Sequence, residues 1–209
     1  MGRVFASRYA ADVAGAVFVD ASHPAQFSTA CVPACLPHQV VERSASLYRT
    51  TPWLASLGAL RLGSQLGLVP FAQASAGLTP RESQIIAAEF TKTAYWRTSA
   101  AEFRGIPESA AQAAAVRSLG SRPLRVLVAG HTYYTDEIKA FTGDINPDQV
   151  SRSWLTLERD LARLSTRSSL EVVPEASHVS LITDPRYAAR VVAAVKDVVQ
   201  EVRTAPTSR

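Results

Sequence analysis

The chain has 209 residues, 47% hydrophobic and 19% charged, which is enough to bury the core of one ordinary domain and too apolar for disorder. Its 22 Lys and Arg against 18 Asp and Glu leave +4, but the arginines are scattered with no stripe and no nucleic-acid motif, so no nucleic-acid partner is implied. No apolar run approaches the ~20 residues of a membrane span, and the two cysteines, Cys31 and Cys35, exclude a disulfide scaffold and lack the second Cys/His pair of a structural zinc site.

In chain order, Gly2–Ala11 reads as a helix with Val4, Phe5 and Tyr9 on one face. Residues Val13–Asp20 form a short apolar run ending in an acid, the pattern of a strand buried on both faces in a parallel sheet. A helix leading straight into such a strand is half of a βαβ unit, so the chain is expected to be the C-terminal portion of a larger protein or to carry a start called too late. From Ser22 to Ser121 no second buried strand is read. Helices are expected instead at Gln39–Tyr48, Trp53–Leu66, Thr79–Trp96 and Pro107–Leu119. Thr79, Pro80 and Glu82 form a cap, first-turn proline and capping-box acid.

The alternation then returns. Pro123–Gly130 reads as a second buried strand, followed by a polar loop from His131 to Asn146. A helix is expected from Asn146 and Pro147 to about Ser165, with Val150, Trp154, Leu157, Leu161 and Leu164 at helical spacing. Leu170–Pro174 reads as a third strand, Glu175–His178 as a short loop, and the last helix starts at Asp184 and Pro185. The fold class expected is α/β with a parallel sheet. Residues 1–23 and 121–203 would form its core, 24–120 a helical insertion and 204–209 a frayed tail.

In open parallel sheets ligands gather beyond the carboxyl ends of the strands. Three groups stand there: Asp20 after the first strand, the loop with Asp136 and Asp144 after the second, and His178 after the third. A histidine beside an acid is the base-and-orienter half of a nucleophilic triad, although His178 also reads as a plain loop residue. His23 and cap aromatics such as Trp53, Phe71, Phe90, Tyr95 and Trp96 are candidates for a substrate pocket, but His23 also fits a turn and the aromatics also fit a core. His38 and His131 lack partners at metal spacing, so no metal is implied, and no GxGxxG or P-loop follows any strand.

The stretch Arg3-Val4-Phe5-Ala6-Ser7-Arg8-Tyr9, followed by Val13–Asp20 and Ala21-Ser22-His23-Pro24, resembles the segment after the nucleophile elbow of α/β-hydrolases. Ser177-His178-Val179, between a strand and Asp184-Pro185, resembles that family's histidine loop and last helix, with Ser177 where the family usually has glycine. The resemblance covers residues 3–24 and 123–200, and the stretch between would be the variable cap.

The resemblance implies that His178 is the catalytic base, that the acid is Asp20 or, alternatively, Asp136, that His23 and Trp96 belong to the substrate side, and that no cofactor is needed. It also implies a small-molecule substrate, an ester or similar apolar compound cleaved by a Ser-His-Asp mechanism. The family's G-x-S-x-G is absent. Gln73-Ala74-Ser75-Ala76-Gly77 comes closest but lacks the first glycine and falls in the wrong chain order, which puts the expected nucleophile upstream of Met1. This chain alone is therefore expected to be inactive, and to self-associate through the sheet edge left open at Ala16–Val19. A non-catalytic fragment or binding module, and a dehalogenase or epoxide hydrolase with an upstream Asp nucleophile, stay open as alternatives. The compartment is open as well, cytoplasmic as the chain is given, because any signal would lie in the missing part.

Overall fold

The computed structural model describes residues 2–27, 38–68, 78–131 and 147–204. Cys31, Cys35, Phe71, Ser75, Asp136, Asp144 and the tail 205–209 lie outside the described residues. The chain divides into two units, one made of Met1–Pro37 and Glu108–Arg209, the other of His38–Pro107.

The first unit is an α/β layer. Strands β1 (Ala16–Val19), β2 (Leu124–His131) and β3 (Ser168–Ser177) run parallel in the spatial order β1-β2-β3. Helix α1 (Gly2–Arg8) precedes β1, and a short 3-10 turn (Pro24–Phe27) follows it. The central strand β2 alternates its faces, as the period of two requires. Leu124, Val126 and Val128 pack with Ala6 of α1 and with Leu161 of the helix α6 (Pro147–Ala162). On the other face, Arg125 pairs with Glu201 of the last helix, α8 (Pro185–Thr204). Helices on both faces explain why β2 reads as a continuous apolar run.

Register is continuous from Ala16 opposite Leu124 to Val19 opposite Leu127. Between β2 and β3 it shifts between Ala129 and His131. Pro174 sits at this irregularity on an edge strand, the place where a strand tolerates a residue without an N–H. Gly130 lies against it so closely that a Cβ there would come within 2.4 Å of the Pro174 carbonyl oxygen. The irregularity lets β3 run on to Ser177, three residues beyond the Pro174 end read from sequence. The outer edge of β1 opens into a groove of about 870 Å3 between α1 and α8.

The helical unit contains α2 (His38–Ser56), α3 (Ala59–Gln65), α4 (Pro80–Phe90) and the first part of α5 (Thr93–Ala115). Among its described residues, the 24–120 stretch holds helices and no named strand. The breaks between helices differ from those read in the sequence. α2 continues through Pro52, because a missing N–H there deprives only the Tyr48 carbonyl, and it ends before Gly58, whose φ of 74° is the left-handed turn that glycine allows. The expected Thr79–Trp96 helix splits after Phe90, where the Trp96 indole N–H donates to the Phe90 carbonyl at 2.7 Å and takes the acceptor that would continue the helix. Its start is as expected, with Thr79 and Glu82 forming a reciprocal capping box. Pro107 lies inside α5 rather than opening a new helix.

Candidate active site

Asp20 is the first residue after β1 and has a φ of 44°, a left-handed conformation uncommon outside glycine and tolerated best by Asn and Asp. Its backbone N–H still donates to Leu127 at 2.7 Å, so the turn begins while the chain is held by the sheet. The side chain is 5% exposed and fully engaged. Oδ1 accepts from the Trp154 indole N–H at 2.8 Å and from the Ala129 backbone N–H at 3.1 Å. Oδ2 stands 2.7 Å from Nδ1 of His178. Two donors on one oxygen fix the plane of the carboxylate and present the other oxygen to the imidazole.

His178 is the residue after β3, and its side chain is 43% exposed. Its position is set by a short reciprocal turn. The Ser177 N–H donates to Ser180 Oγ at 2.8 Å, and the Ser180 N–H donates to Ser177 Oγ at 3.2 Å, at the start of the four-residue helix α7 (Ser180–Thr183). A glycine at position 177 would lack this hydroxyl. An Nδ1–H donated to Asp20 leaves the lone pair of the neutral ring on Nε2, the tautomer that a general base needs.

Behind Asp20 lies Glu158, one helical turn from Trp154 on α6. It is fully buried, and among the described residues no group makes a well-formed hydrogen bond to either carboxyl oxygen, the Ala21 amide only approaching it. Burial pushes its pKa up to about 8, the Asp20 charge adds to the rise, and the Ala21 amide pulls weakly the other way. At neutral pH Glu158 is therefore a buried carboxylic acid, and the two neighbouring carboxyl groups carry one charge between them.

The other candidates are placed as follows. His23 accepts from the Ala25 N–H on Nδ1 at 3.0 Å, so its Nε2–H donates to Asp160, also at 3.0 Å. Both nitrogens thus serve the 3-10 turn and α6. Trp96 is 3% exposed in the core of the helical unit, with Ala55 and Leu60. Asp136, the alternative acid, lies outside the described residues. Trp154 and Glu158 were missed as site residues, since their spacing of four reads as an ordinary helix face. Among the described residues no cluster of three or more His, Cys, Asp or Glu is arranged to hold a metal ion, and no helix is long and apolar enough to cross a membrane.

Comparison with protein-family models, curated proteins and solved structures finds no match to this chain.

Proposed function

We propose that the Asp20–His178 pair is the base-and-orienter half of a serine-type α/β-hydrolase site acting on an ester or a similar small apolar substrate. One observation carries the reading: a buried carboxylate and a half-exposed imidazole, brought together at 2.7 Å across 158 positions of sequence at the carboxyl ends of two parallel strands. In this reading His178 takes the proton of a nucleophile through Nε2 and later delivers it to the leaving group. Asp20 holds the ring and stabilises the imidazolium without itself becoming protonated. No G-x-S-x-G turn occurs in this sequence, so the reading requires the nucleophile and the oxyanion donors to be supplied to the pair from elsewhere. The strained backbone at Asp20 favours a functional site, because such conformations persist where surrounding structure over-determines them.

The test is to express residues 1–209 alone and with the upstream reading frame restored, then assay both on p-nitrophenyl butyrate. Activity is expected only in the extended protein, with His178→Gln lowering kcat by about 10^3-fold or more. An extended protein that keeps its rate after His178→Gln would overturn the assignment. Activity on a haloalkane or epoxide instead of the ester would move the reading to an Asp nucleophile.

A further inference from the structure

The helical unit holds a groove of its own, about 870 Å3, between α2 and α5. That volume is within the ~300–1,000 Å3 range of small-molecule sites. Its floor is aromatic: the rings of Tyr48 and Phe103 lie 5.0 Å apart. Burial pushes the Tyr48 phenol pKa up, with Tyr95 and Glu102 adding to the rise, so the ring stays neutral. Trp53, one turn along α2 from Arg49, lines the same groove with its indole 73% exposed. An indole that large left in water is a π-face without packing, and among the described residues it makes no ring contact.

Three guanidinium groups border this floor: Arg49 from α2, and Arg97 and Arg104, two turns apart on α5. None of the three forms an ion pair among the described residues, and neither does Glu102, the acid nearest to them in sequence. Three guanidinium groups against one nearby carboxylate, Glu102, leave a net positive charge beside the aromatic faces that a bound anion relieves. Each guanidinium is a planar fork matched to a carboxylate, and it also stacks on aromatic rings. The helix-internal prolines Pro52 and Pro107, one from each helix, both line the groove.

We propose that this groove binds a planar aromatic carboxylate, with its ring on Trp53 and the Tyr48–Phe103 floor and its carboxylate held by the arginines. The proposal does not rest on the hydrolase reading and uses neither Asp20 nor His178.

The test is to titrate the full chain with 2-naphthoate and, separately, with 2-naphthamide, which keeps the ring and removes the charge, following binding by calorimetry. Saturable binding of the acid is expected, with the amide at least about ten-fold weaker and added salt weakening the acid alone. Trp53→Ala and the triple Arg49→Gln, Arg97→Gln, Arg104→Gln variant are each expected to lose about ten-fold, with far-UV circular dichroism showing the helices retained. Equal affinity for acid and amide, or no saturation by millimolar acid, overturns the proposal, and both readings need no variant. A triple variant that binds the acid as the parent does overturns it as well.

Discussion

Replacing Glu158 by glutamine is expected to stabilise the protein, and by an amount that depends on pH. The carboxyl is fully buried, with no well-formed hydrogen bond to either oxygen among the described residues, and its pKa rises from 4.5 to about 8. The unfolded chain releases this proton near pH 4.5 while the folded chain keeps it, so the unfolded state gains stability as pH rises between the two values. Below pH 4.5 both states are protonated and the penalty vanishes; above about 8 both are ionised and it is constant. At pH 7 the difference spans some 2.5 pH units, or about 3 kcal/mol at ~1.36 kcal/mol each. This is an upper figure, because an ionised Glu158 would draw water inward. Glutamine keeps the shape and a neutral polar head, so the buried-amide cost resembles that of the buried acid and largely cancels. For a chain of this size the gain corresponds to a Tm rise of about 6–12 °C at pH 7, and to little change near pH 4.5. Paired thermal melts of parent and Glu158→Gln from pH 4.5 to 8.5 read this directly. A Tm difference that is flat across that range, or a loss at pH 7, would refute the assignment of Glu158 as a buried neutral acid.

Other expectations rest on single contacts. Trp154→Phe keeps the ring's bulk but removes the 2.8 Å donor to Asp20, so urea denaturation should show a loss of about 1–3 kcal/mol, the cost of a charge-assisted hydrogen bond; an unchanged midpoint would mean that the bond is not formed in solution. Gly130→Ala places a Cβ 2.4–2.7 Å from three backbone atoms of Pro174, none of which can rotate away; the Tm should fall by well over the ~1–2 °C of an ordinary surface change, and a neutral outcome would contradict the close approach of β2 and β3. Along β1, Ala16 and Asp20 donate to Pro123 and Leu127, so alternation turns the Val17 and Val19 N–H groups toward the open edge. Val17→Pro should therefore leave the β1–β2 ladder intact and shift the chain toward monomer in sedimentation velocity; a parent chain that is already monomeric at high concentration would refute self-association through this edge.

Strand positions were readable because burial on both faces leaves an unbroken apolar run, as at Val126–Val128 and Ala16–Val19. Helix boundaries were less so. A proline at the first turn and a proline in mid-helix look alike in one dimension. Pro80, with Thr79 and Glu82 around it, opens a helix, whereas Pro52 and Pro107 sit inside α2 and α5. What separates them is the capping partner, present at Thr79 and not read at either internal proline. The extension of β3 past Pro174 was hidden for a related reason: a proline ends a central strand but not an irregular edge strand, and edge status belongs to the sheet rather than to the segment.

The site was readable to the depth of its first charges. Asp20 and His178 stood out because each is a polar residue ending an apolar run, and chain order alone set them at strand ends. What lies behind them was not readable, because Trp154 and Glu158 occupy helical positions where one residue is apolar and the other is usually solvated. An amphipathic pattern assigns a glutamate to water by default, and only the packed structure shows α6 turning it toward Asp20. The consequence is chemical. A site read from sequence as one carboxylate and one imidazole contains a second carboxyl group, and that group stays neutral chiefly because it is buried, with the charge of the first adding to the effect. Glu158 thus takes its protonation state from burial and from the Asp20 carboxylate, and as a neutral acid it adds no second negative charge behind the Asp20–His178 pair.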